Sequence, residues 1–171
     1  MTGLTLGQIA SIAEIIGAFT IVSGLVFGWI QIRVYRTQQR DRIATNLMQT
    51  FYNPDLARAV SLLHRLPDGI SGSDLRDMGN EYEQAAVIVS TSFETMGLLV
   101  YKKIAKFDLV MELAGGMIVN MHRKLSAWLE YIRVEQNQPS WAEWFEWIAQ
   151  MADKRKTELQ PAHKRLMGWK P

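Results

Sequence analysis

Apolar residues crowd one stretch near the N-terminus and are spaced at helical intervals elsewhere. Residues 9–32 carry one ionisable side chain, Glu14, and no proline. Within them, 15–32 is uncharged, and as a helix spans roughly 27 Å, close to the hydrocarbon thickness of a bilayer. This pattern predicts a membrane anchor over 9–33 behind a short N-terminus, 1–8. A cleaved signal peptide would carry basic residues before the apolar run and a small-residue site after it. Here residues 1–8 are uncharged, and Arg33, Arg36, Arg40 and Arg42 follow the run. That asymmetry predicts the N-terminus outside and the arginine side in the cytoplasm. A buried helix of a soluble protein is the other reading of the run.

No proline or glycine interrupts 30–52, so the helix is expected to continue as an extension over 34–52, with Ile43, Leu47, Met48 and Phe51 on one face. Asn53-Pro54 then ends it and opens a second helix, Asn53 as cap and Pro54 at the first position. That helix carries Leu56, Val60, Leu63 and Leu66 up to Pro67-Asp68-Gly69. Residues 67–79 read as a loop with one turn near Asp74. Asn80 and Glu83 resemble a capping pair opening a helix that runs to about Lys103. A second membrane span is the rival reading there, but Ser90, Thr91, Ser92 and Glu94 occupy its centre, so it reads as a buried helix.

Asp108 is expected to cap a short helix through Leu113, and Gly115-Gly116 to allow a bend. A longer helix follows, with Met117, Met121, Leu125, Trp128 or Leu129, and Ile132 on one stripe, broken at Pro139. Ser140 and Glu143 form a capping box for a last helix through Trp141, Trp144, Phe145, Ile148 and Met151. No strand pattern and no internal repeat appears. The expected fold is all-α: an N-terminal transmembrane helix continuing into a cytoplasmic helical bundle over 53–158, closed by a basic tail, 159–171.

Composition adds an address more than an activity. The 171 residues are 48% hydrophobic and 21% charged, which is not a disordered composition. The absence of cysteine excludes a disulfide scaffold and thiolate metal sites. The net charge of +2 hides basic ends around an acidic middle. Nucleic-acid binding would want one continuous positive stripe, so no nucleic-acid partner is expected. Basic segments beside an anchor suit anionic headgroups, with Arg33, Arg36, Arg40, Lys164 and Arg165 as the contacts.

Within the anchor, Ala10, Ala13, Gly17, Gly24 and Gly28 recur at spacings that keep them on one face, where a second helix could approach closely in lipid. Glu14 lies beside that face. It either marks the outer boundary, makes a polar contact between helices, or lines an ion or proton path. Downstream, Glu94 sits midway along an apolar helix and must be paired or neutralised, by Arg123, Arg133 or His64. A buried ion pair locking helices together is the favoured reading, and a proton-handling role the other. Trp141, Trp144 and Trp147 share one helix, as core residues or as a ligand cage. His64, His122 and His163 fall on different elements with no metal-ligand spacing, and no P-loop, nucleophile elbow or dinucleotide turn is present. No catalytic, cofactor or metal site is assigned. The tail around Lys164-Arg165 either lies on the membrane or is an exposed, disordered end.

The opening Glu14-Ile15-Ile16-Gly17-Ala18, the Gln31-Ile32-Arg33 exit and the Asn53-Pro54 break resemble small bacterial anchored proteins. Phe93-Glu94-Thr95-Met96-Gly97, Asp108-Leu109-Val110, Arg133 and Trp144-Phe145-Glu146-Trp147 are similar to a domain-of-unknown-function family, the one numbered 4760. The resemblance implies a bacterial membrane protein and supplies no activity. The expectation is a non-enzymatic, single-pass inner-membrane protein acting by assembly, with itself or as an accessory subunit of a membrane complex. The alternatives are an anchored sensor or effector binding a ligand or anionic lipid, and an ion-conducting oligomer lined by Glu14.

Overall fold

A computed structural model of the chain describes residues 6–51, 53–158 and 160–170. Several side chains named above lie outside the described residues: Ile9, Ala13, Arg40, Leu47, Met48 and Phe51. Among the described residues the structure is all-helical, with no strand. It divides into two compact units, residues 1–42 and 43–171, each treated by itself below.

Helix α1 runs Leu6–Phe51, as the uninterrupted pattern predicts. Its Glu14–Arg36 window has a mean hydropathy of 1.9 and is the one helix among the described residues long and apolar enough to cross a membrane. None of that window is buried. The Thr20 hydroxyl bonds the Ile16 carbonyl at 2.8 Å, so its polar group is satisfied within the helix.

In the second unit, α2 (Pro54–His64) starts where expected: the Asp55 amide donates to Asn53 Oδ1 at 2.9 Å, and Pro54 needs no N–H partner. Its buried face is Leu56, Ala59 and Leu63, leaving Val60 half-buried. The segment read as a loop contains α3 (Gly72–Asp77). Ser71 caps it by accepting from the Asp74 amide at 3.1 Å, and Leu75 is fully buried beneath it. Gly72 is needed there, because any Cβ would run into the Tyr131 ring. The turn before α3 docks on α5: Gly69 (φ 67°) donates to the Arg123 carbonyl at 2.9 Å and Ile70 to that of Lys124 at 3.1 Å. Lys124, a buried cation the pattern did not single out, reaches the Leu66 carbonyl and Asp68.

Helix α4 (Asn80–Tyr101) packs against α2 and α6. The expected Asn80 cap is not used: Gly79, at φ 109°, takes the cap position and no side chain bonds there. Both α4 and α5 end in a Schellman turn built without glycine. At α4, Lys103 (φ 57°) donates to Val100 and Ile104 to Leu99, each at 2.9 Å. At α5, Asn137 (φ 52°) donates to Val134 at 3.2 Å and Gln138 to Arg133 at 3.0 Å.

Helix α5 (Phe107–Glu135) corrects the expected pair of helices. Gly115-Gly116 lies inside one helix, because the buried stripe continues in register across it, from Val110 and Ala114 to Ile118, Met121 and Leu125. Asp108 makes no cap; it pairs with Arg155 instead. Helix α6 (Glu143–Glu158) packs on α4 and α5, and a short α7 (Ala162–Arg165) follows. The core gathers Phe93, Met96, Met121, Leu125, Trp128, Phe145 and Ile148, with Phe93 and Phe145 at 5.4 Å between ring centroids.

Candidate functional site

The described residues of the apolar window on the first helix are exposed, Gly28 partly so. Eleven large apolar side chains from Ile15 through Ile32 are each about half or more exposed. Gly17, Gly24 and Gly28 have open space where a side chain would stand, while Ala10 and Glu14 are exposed. Arg33 stacks over Trp29 at 5.7 Å, a geometry that sets an indole and a cation at one end of the apolar window. Arg36 is exposed nearby. The expected positions Ala13 and Arg40 fall on this helix but outside the described side chains.

In the second unit, Glu94 and Arg133 meet at the start of α6 without forming the expected ion pair. Glu94 Oε2 accepts the Phe145 amide at 2.7 Å, so a carboxylate from α4 caps α6 across the bundle. Helix-terminal N–H groups take the place of a cation, and the expected pair with Arg123, Arg133 or His64 is therefore corrected. Arg123 faces Asp68 at 4.0 Å, and His64 bonds Asn120 at 2.9 Å. Arg133 spends its guanidinium on the connection: Nε to the Trp141 carbonyl at 2.9 Å, and the two terminal nitrogens to Glu130 and Glu146. The Ser140–Glu143 capping box is corrected too, since Glu143 donates its amide to the Ser140 carbonyl and the side-chain cap comes from Glu94.

One turn beyond Glu94, Gly97 lets α6 press onto α4: a Cβ at Gly97 would run into the Trp144 backbone carbonyl. Ala142 is held at φ 55°, a conformation costly for a residue with a Cβ, at the point where the chain turns into α6. Burial pushes the Glu94 carboxyl up from its ordinary value, against the pull of the Phe145 and Trp144 amides. His122, whose ring meets Phe145 edge-on at 5.5 Å, is pushed down by burial.

Beside this junction lies a pocket of about 510 Å³ between α4 and the 137–142 connection, with Glu94 its one ionisable lining residue. Ser90 Oγ and Trp141 Nε1, on two of its lining residues, have no hydrogen-bond partner among the described residues. A second pocket, about 460 Å³, lies between α5, α6 and α7 and is lined by Arg155, Lys156 and Arg165 against Glu112. Arg165 was legible as a basic-tail residue, but its companions Arg155 and Lys156 were not, since only the tertiary structure puts α6 and α7 on one pocket. Lys164 is exposed and does not line it. Trp141 lies in the connection before α6 and not on that helix, and both Trp141 and Trp147 are half-buried and packed against the core. Trp144 is half-buried and lies against Tyr101 with ring centroids 4.3 Å apart, while Trp147 meets Tyr101 edge-on at 6.1 Å. Among the described residues no three His, Cys, Asp or Glu side chains gather as a metal site.

Residues 9–152 match the family model described as a domain of unknown function, DUF4760. No curated protein and no solved structure matches the chain.

Proposed function

The chain belongs to the DUF4760 family, a domain of unknown function, and from that premise, which carries no activity, we propose a single-pass membrane protein that acts by assembly. In this reading the Glu14–Arg36 window spans the bacterial inner membrane, the N-terminus lies outside, and the helical domain is cytoplasmic and non-enzymatic. The carrying observation is the bare apolar surface of that window. Each large apolar side chain left in water forgoes about 1.5–3 kcal/mol, and eleven in succession need lipid or protein around them. Arg33 and Arg36 at the end of the window support the cytoplasmic orientation. The open glycine positions support close approach of a second helix, from another copy or from another subunit of a membrane complex.

Mass measurement of the intact protein in mild detergent tests this. A mass above that of one chain is expected, falling to the monomer in Gly24→Leu/Gly28→Leu. A wild-type monomer that purifies alone sinks the assembly reading, and release from membranes by alkaline carbonate sinks the anchor.

A second reading is favoured by the two pockets: an anchored sensor or effector whose domain binds a ligand or an anionic lipid. Their volumes fall in the range of small-molecule sites.

A further inference from the structure

The pocket between α5, α6 and α7 brings three cations to one concave surface, and two of them are positioned in advance. Arg155 is held by Asp108 at 2.5 Å and lies over the Phe107 ring, 5.5 Å from its centroid. Lys156 runs over α5 at Gly116, with Nζ 3.6 Å from where a Cβ would stand. Arg165 closes the third side from α7. Glu112 is the one carboxylate on the lining, and Met111, Ala152 and Pro161 supply apolar wall. Charges of one sign gathered in a cleft repel one another and focus a positive potential into it, which an anion relieves.

We propose that this pocket binds a phosphate group carried on a compact organic body, whether a lipid headgroup or a soluble phosphoester. Phosphate presents several acceptor oxygens that two guanidinium groups and an ammonium can engage together, whereas a single carboxylate would leave donors unused. The apolar wall favours an ester over the bare ion. The inference gives a site and a ligand class to the second reading above and is independent of the assembly reading.

The test is calorimetric titration of the full-length protein in neutral detergent, using inorganic phosphate, short-chain phosphatidylglycerol and short-chain phosphatidylcholine. Saturable binding of phosphate or phosphatidylglycerol is expected, with phosphatidylcholine weaker. Lys156→Gln/Arg165→Gln removes two charge-assisted contacts and should weaken it at least about tenfold, the change that the loss of one alone would bring. Arg58→Gln/Lys102→Gln removes the same charge from exposed positions elsewhere and should leave binding unchanged. Binding of inorganic phosphate without phosphatidylglycerol supports the site and assigns it to a soluble phosphoester; the reverse assigns it to a lipid headgroup. Equal weakening in both double variants overturns the proposal, as does a folded wild type that binds neither probe. Phosphatidylglycerol binding that survives Lys156→Gln/Arg165→Gln overturns this site while leaving the second reading standing.

Discussion

Glu94 on α4 accepts the backbone amide of Phe145 at the first turn of α6, at 2.7 Å, across 51 positions of sequence. One carboxylate thus fixes where the last long helix begins and how it lies on its neighbour. Two residues around it serve the same joint, Gly97 by leaving room for the Trp144 carbonyl and Arg133 by holding the Trp141 carbonyl.

Replacing Glu94 separates its acceptor role from its charge. Glu94→Ala leaves the Phe145 amide unpaired and should cost about 1–3 kcal/mol. Glu94→Gln keeps an acceptor oxygen and removes a desolvated charge, so it should stay within about 1 kcal/mol of the wild type at neutral pH. Burial raises the folded-state pKa of Glu94 above its ordinary 4.5. Its contribution is therefore fully present below 4.5 and is lost as pH rises through the raised value. Urea unfolding of the full-length protein between pH 4 and 8 checks this: the Gln variant should lack the part of the pH slope that Glu94 supplies.

Gly97→Ala and Gly116→Ala make the same chemical change in the interior of two helices, with opposite expected results. Alanine gains about 1 kcal/mol of helix propensity over glycine in either place. At Gly97 the new methyl meets the backbone of Trp144, which cannot move without unseating α6, and the net result should be a loss of about 1–3 kcal/mol. At Gly116 the nearest atom is the flexible end of Lys156 at 3.6 Å, an ordinary contact, so the variant should be as stable as wild type or more so. Thermal unfolding of the two variants side by side is the measurement.

Arg76 ties three helices together, reaching Glu83 at 2.9 Å and Glu135 at 2.8 Å while lying over the Tyr131 ring. The guanidinium and the Tyr131 hydroxyl hold the Glu135 carboxyl down to about 2. A depressed carboxylate contributes stability that is present above 4.5 and lost as pH falls through about 2. In Arg76→Gln the Glu135 midpoint should return most of the way to 4.5, read by NMR titration of the side-chain carboxyl carbon. A midpoint that does not move would mean that Tyr131 alone sets it.

The legible parts of the fold are those whose cause lies within a few residues. Asn53-Pro54 marks the start of α2 because cap and capped amide are two positions apart. Longer-range joints hid their signals. Ser140 and Glu143 have the spacing of a capping box, yet α6 takes its cap from α4, a partner no local pattern names. Gly115-Gly116 suggested a bend because glycine is a poor helix former, but apolar positions on either side share one stripe and packing carried the helix through. The turn expected near Asp74 within the 67–79 loop is the short helix α3, capped by Ser71 and seated on the core by Leu75.

The sequence by itself determined that the protein is helical, where its first helix begins to be apolar and where arginines end that run, because period and composition are one-dimensional properties. Tertiary structure decided the partners. Glu94 went to an amide and not to a cation, since an α6 terminus packed on α4 supplies N–H donors inside the bundle. Arg155, Lys156 and Arg165 became one basic pocket only because residues of α5, α6 and α7 line the same cavity. Contacts between residues far apart in sequence depend on how helices are set against one another, and that follows from the packing of the whole core.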